Sequence, residues 1–190
     1  DKKVSQILDK ATGFNKKIQN LFLTSNWIGP TMTDKDILYL AQGLKGLKSL
    51  QRLTIAIQGW NQITDRDLYY ITKMISMLRS LKIFSLSLSG HSQITNVGLN
   101  YLSRAFKKLL MLKDIWFEGY DFSQTTDKKL MMLNGSLNRL SKLEEIALII
   151  SDTKSMNDQS LERINFKRLI CLREVFFCFE NSPQITDKGI

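Results

Sequence analysis

The phrase Ile63, Thr64, Asp65, Arg66 occurs six times in related form. Its other copies are Met32 Thr33 Asp34 Lys35, Ile94 Thr95 Asn96 Val97, Thr125 Thr126 Asp127 Lys128, Met156 Asn157 Asp158 Gln159 and Ile185 Thr186 Asp187 Lys188. The Asp or Asn positions step by 31, 31, 31, 31 and 29 residues. Upstream of each phrase runs an LxxLxL-like triplet: Ile18, Leu21, Leu23; Leu50, Leu53, Ile55; Leu81, Phe84, Leu86; Leu112, Ile115, Phe117; Leu143, Ile146, Leu148; Leu172, Val175, Phe177. Their leading residues step by 32, 31, 31, 31 and 29. Two independent landmarks drifting together indicate a repeat architecture, in which each unit buries its apolar face on its neighbours.

Within a unit the apolar period changes from 2 to about 3.6, which predicts a strand followed by a helix. Leu53, Ile55 and Ile57 alternate with Thr54 and Ala56, as in a strand with one buried face. Thr64, with Asp67 three residues on, is arranged as a helix N-cap with a short acidic partner. Leu68, Ile71, Ile75 and Leu78 then mark a buried helix face, repeated by Ile37, Leu40, Leu44 and Leu47 and by Leu99, Leu102, Phe106 and Leu109. The expected fold class is α/β: a solenoid with a parallel sheet inside, helices outside, and about 31 residues per unit. Helices are expected over 34–48, 65–79, 96–111, 127–142 and 158–171. Residues 1–190 read as one such domain. Asp1 to Phe14 align with the helix start at Asp34, and Gln184 to Ile190 form another helix start, so both ends are expected to be internal to a longer array.

These residues resemble the leucine-rich repeat, and the long helical units resemble its ribonuclease-inhibitor type. Leu86 Ser87 Leu88 Ser89 Gly90, followed by Gln93 Ile94 Thr95 Asn96 Val97 Gly98 Leu99, is similar to the ITDxGL phrase of the cysteine-containing repeats in F-box substrate adaptors. The long units with Lys-rich helices are also similar to expanded repeat families of ciliated protists. The chain departs from these patterns where an Asn or Cys normally follows the strand, with Trp60 or His91 in that region. The resemblance implies a curved sheet, a protein partner, and a role as scaffold, cytoskeletal or ciliary assembly component, or F-box-like adaptor.

No catalytic constellation accompanies the repeat. The acidic pairs Asp34/Asp36 and Asp65/Asp67 recur at helix starts, where negative charge complements the helix dipole. A single histidine, His91, and two cysteines, Cys171 and Cys178, do not make a metal set or disulfide framework. No Gly-rich phosphate loop occurs. The expectation is a protein without enzymatic activity, cofactor or metal. The apolar runs are too short for a transmembrane segment, and two unpaired-looking cysteines suit a cytoplasmic site.

The formal charge of +9 lies mainly on the expected helices, whose five stretches total +9, whereas the strands and loops from Asp114 onward total −6. Phosphates held in the concavity would meet carboxylates, which disfavours nucleic acid there. The convex side keeps an alternative open: Lys108, Arg139 and Arg168 recur in one expected column and offer a basic ladder for RNA, a membrane or acidic tubulin-like tails. The leading expectation places a protein partner on the concave surface. Phe22, Trp116 and Phe176 occupy strand positions that the core does not need, Trp60 and Phe122 recur in the strand-to-helix loops, and Glu118 and Glu145 supply charge.

Overall fold

The computed structural model describes residues 17–25, 42–44, 46–57, 63–88, 92–120 and 126–186. Six strands form one all-parallel sheet: β1 (Asn20–Ser25), β2 (Arg52–Ile57), β4 (Ile83–Leu88), β6 (Asp114–Gly119), β7 (Glu145–Ser151) and β8 (Glu174–Glu180), paired in chain order. Among the described residues, β3 (Ile63–Thr64) and β5 (Ser92–Gln93) pair in a second sheet. Among the described residues the helices are α1 (Asp65–Ile75), α2 (Asn96–Phe106), α3 (Asp127–Leu137) and α4 (Asp158–Glu162), and residues 42–44 are helical as well. The architecture is α/β, and among the described residues no helix is long and apolar enough to cross a membrane.

The register follows the sequence repeat. Leu21, Leu53, Phe84, Ile115, Ile146 and Val175 pair across successive strands, as do Leu23, Ile55, Leu86, Phe117, Leu148 and Phe177. A one-residue slip would turn every one of these side chains out of the core. The strand entries reinforce that register with paired hydrogen bonds to a single carbonyl. Gln51 and Arg52 donate their N–H groups to the Gln19 carbonyl, Lys82 and Ile83 to Gln51, Lys113 and Asp114 to Lys82, Glu144 and Glu145 to Lys113, and Arg173 and Glu174 to Glu144.

Strand residues of the core face join the helix residues in one apolar cluster. Leu68, Leu99, Leu102, Phe106, Phe84, Leu86 and Phe117 are all fully buried in it. Phe84 and Phe106 meet edge to face at 6.2 Å between ring centres, which joins a strand to a helix by a favourable aromatic geometry. The open edge of β8 lacks this cover: Val175 is 40% exposed, whereas its register partners Ile115 and Ile146 are 2% exposed.

The recurring Asp or Asn links one unit to the next. Asp65, at the start of α1, accepts hydrogen bonds from the Thr95 N–H (2.8 Å), the Thr95 hydroxyl (2.6 Å) and the Gly98 N–H (2.8 Å). Asn96 accepts from Thr126 through both N–H and hydroxyl, and Asp158 does the same for Thr186. Asp127 accepts from the Ser160 hydroxyl. These side chains satisfy donors that every helix start leaves open, but in the following unit. The local cap foreseen at Thr64 also forms, with Asp67 accepting from its N–H and hydroxyl.

The helices are shorter than the sequence period suggests. α1, α2 and α3 stop at Ile75, Phe106 and Leu137, and α4 ends at Glu162 instead of reaching 171. In that last unit the carbonyl of Asn165 accepts from the Asn134 and Asn138 amides of the preceding unit. Turns 31 residues apart replace the final helical turn expected in the earlier units. At the exits of β7 and β8, Asp152 (φ 59°) and Asn181 (φ 50°) adopt left-handed backbone, which Asp and Asn tolerate better than most residues.

Ser103, 1% exposed within α2, has a hydroxyl with no hydrogen-bond partner, whereas Thr72, one unit earlier, donates to the Leu68 carbonyl at 2.6 Å. Ser103→Ala is therefore expected to raise stability by about 1 kcal/mol, through helix propensity and removal of an unpaired buried polar group. A urea midpoint that falls instead would show that the hydroxyl is bonded in solution.

Candidate functional site

The sheet face turned away from the helices carries no helix or strand among the described residues, and period-2 alternation places three rows of side chains on it. The first row is Asn20, Arg52, Ile83, Asp114, Glu145 and Glu174; the second is Phe22, Thr54, Ser85, Trp116, Ala147 and Phe176; the third is Thr24, Ala56, Ser87, Glu118, Ile149 and Cys178. In the second row Phe22 is 59% exposed, Trp116 46% and Phe176 50%. Three large aromatics thus stand in one register row, separated by small residues. Their wetted area is the kind that protein interfaces bury at their centres.

Glu145 is exposed beside this row, and Glu118 is half-buried on its other side. The Tyr120 hydroxyl donates to the Glu118 carboxylate at 2.7 Å. That bond, with burial and the carboxylate charge behind it, pushes the phenol up to about 12. Burial first, then the Glu144 carboxylate, raises the Asp114 carboxyl above its ordinary range. Glu144 itself forms an ion pair with Lys113; the pair lowers the carboxyl of Glu144 and raises the ammonium of Lys113. Burial and the nearby Glu180 raise the Cys178 thiol, which disfavours the nucleophilic thiolate.

The Tyr120 shift has a measurable consequence. The folded pKa lies above the unfolded value of about 10, so this contribution to stability is complete below the unfolded pKa and is lost as pH rises through about 12. In a difference titration of wild type against Tyr120→Phe, phenolate absorbance from this tyrosine should appear near pH 12. Glu118→Gln should bring it back towards about 10. A Tyr120 that titrates with the ordinary tyrosines would mean that the hydroxyl does not reach Glu118.

Among the expected site residues, the structure brings Phe22, Trp116 and Phe176 onto one row and sets Glu118 and Glu145 in the rows beside it. Trp60 and Phe122, like Trp27 and His91, lie outside the described residues. Lys108, Arg139 and Arg168 are exposed in the turns that lead from each helix to the next strand, and not within helices as the sequence suggested. Cys171, expected near a helix end, lies well beyond the end of α4 and is exposed. Asp65 and Asp67 have their oxygens engaged by helix-start donors. Among the described residues no group of three or more His, Cys, Asp or Glu side chains is placed to hold a metal ion. Sequence reasoning missed Tyr120 as the partner of Glu118. The two-residue offset on the same face was the available signal.

No known family's sequence profile matches the chain, and no curated protein matches it by sequence. Among solved structures, a tropomodulin C-terminal domain from Caenorhabditis elegans is similar, with a TM-score of 0.59 over 88% of this chain and 92% of that one. Identity is 12%, so the likeness is one of fold. That fold is leucine-rich-repeat-like, in agreement with the all-parallel sheet.

Proposed function

We propose that the chain is a leucine-rich repeat solenoid of about 31 residues per unit, whose open sheet face binds a protein partner without enzymatic activity. The observation that carries this reading is the row Phe22, Trp116, Phe176, half-exposed on a face with no covering element among the described residues. Solvent gives no reason to place three large aromatics there, while a rigid sheet presents them at fixed spacing and little ordering entropy is lost on binding. Glu118 and Glu145 add charge at the flanks. Trp60 and Phe122 are kept as candidate partner-binding residues on their sequence spacing. A cytoplasmic, cytoskeletal or ciliary setting within a larger assembly belongs to the same proposal and rests on the sequence resemblance.

A second reading rests on the helix-to-strand turns, where Lys108, Arg139 and Arg168 are exposed and form no salt bridge among the described residues. Those turns would dock on an anionic surface, with affinity falling steeply as salt is raised.

The deciding experiment is affinity capture from a native extract at low and high salt. Wild type is compared with Trp116→Ala/Phe176→Ala and with Lys108→Ala/Arg139→Ala/Arg168→Ala, after folding of each is verified. A salt-resistant partner lost only with the aromatic variant supports the open-face reading. Salt-labile capture lost only with the basic variant replaces it.

A further inference from the structure

Building on the open face as a protein-binding surface, we propose that the notch floored by Ala147 between Trp116 and Phe176 receives a cationic side chain, foremost an arginine of a basic partner segment. Trp116, Ala147 and Phe176 occupy the same register position on three adjacent strands. Strands lie about 4.8 Å apart, so the two aromatic positions are separated by about 10 Å along the sheet. A flat group in contact with two ring walls needs about 7–8 Å between them. The methyl of Ala147 leaves that space unfilled, where a Leu or Phe would close it.

Charge selects the occupant. Asp114, Glu145 and Glu174 pair successively on the same three strands, directly beside the notch, and Glu118 stands on its other side. Like charges facing one another across strands are unfavourable, and Asp114, Glu145 and Glu174 face one another in this way. Arg52, in the same row on β2, offsets part of the charge at Asp114 and leaves Glu145 and Glu174 as the main acidic flank. The cations nearest the strand entries are Lys113, which is paired with Glu144, and Arg173. An apolar side chain in the notch would strip water from these carboxylates without return. A guanidinium stacks on aromatic faces while its N–H groups reach the carboxylates, and it holds its charge at any relevant pH. Lysine fits the charge but not the flat slot, which places arginine first.

The test uses short peptide libraries, random except for a central Arg, Lys, citrulline, Leu or Glu, titrated against the 190-residue chain. Citrulline keeps the shape of arginine and removes its charge. The arginine set is expected to bind at least about tenfold more tightly than the citrulline set, with lysine between them. Ala147→Leu fills the notch while leaving both aromatics and every carboxylate, and it should erase the arginine preference. Glu145→Gln/Glu174→Gln, which leaves packing untouched, should reduce it. Equal binding of arginine and citrulline, an undiminished preference in either variant, or no binding above a Trp116→Ala/Phe176→Ala background overturns the proposal. Leucine-set binding that depends on Trp116 and Phe176 overturns it too, but leaves the protein-binding reading standing. Preference for the glutamate set, lost in the Lys108→Ala/Arg139→Ala/Arg168→Ala variant, removes both.

Discussion

Asp65→Ala is expected to destabilise the protein by about 3 kcal/mol, and Gly98→Ala by about 2 kcal/mol, from the loss of one linkage. The Asp65 carboxylate accepts three hydrogen bonds from the next unit. Alanine at 65 leaves the Thr95 and Gly98 N–H groups without their acceptor. Hydrogen bonds to charged groups contribute about 1.5–3 kcal/mol each, and three on one side chain are not additive. The glycine variant decides the sign. In an ordinary exposed helix, Gly→Ala stabilises by about 1 kcal/mol. Here a Cβ on residue 98 would stand 2.5 Å from the Asp65 Oδ1 and 2.9 Å from the Leu68 Cδ1. Leu68 is fully buried and has no room to retreat, so the carboxylate must move and lose its bonds. Asp65→Asn should cost only about 1 kcal/mol, because Asn96 already fills the equivalent role with an amide oxygen. Repeat arrays need not unfold in one step, so hydrogen exchange should accompany urea unfolding, and protection in α1 and α2 should fall first. A stable Gly98→Ala variant would refute the linkage.

The alternation that predicted a strand from Leu53, Ile55 and Ile57 and the helix face Leu68, Ile71, Ile75 and Leu78 carried most of the architecture. Burial of one face leaves a period in any sequence, and six copies repeat it. The reach of Asp65 was not legible. Its position beside Thr64 reads as a helix-start charge, and only the stacking distance between units shows that its oxygens meet Thr95 and Gly98 instead. The early end of α4 was likewise hidden, since Ile164 and Leu169 continue the apolar spacing of Leu161 after the helical backbone has stopped. β3 and β5, two residues each, are too short for any period to register.

The open face was readable for a related reason. A residue out of phase with the core alternation must point away from it, and Phe22, Trp116 and Phe176 are large where solvent would be met by small or polar groups. Pattern alone could not give depth or pairing. Glu118 looked like a free acidic flank, but it holds the Tyr120 hydroxyl. Ala147 follows Trp116 by 31 residues, and the register sets it between two aromatics on adjacent strands.

Loss of partner affinity is expected to be about 30-fold or more for Trp116→Ala and for Phe176→Ala taken singly, equivalent to about 2 kcal/mol each, the level of interface hot spots. Phe22→Ala should cost less. Phe22 lies three strands from Trp116, with Thr54 and Ser85 between them, so no single partner side chain spans that gap as one spans Ala147. The double variant supplies the discriminating quantity. If one partner side chain touches both Trp116 and Phe176, removing either aromatic already loosens its grip, and the combined loss should fall short of the product of the single losses by about fivefold. Independent contacts would multiply. Folding provides little reason for either variant to fail, since both side chains are half-exposed, and matched urea midpoints would establish that the losses belong to binding. A multiplicative double variant would separate the two aromatics, and affinities unchanged by both would move the partner to another surface.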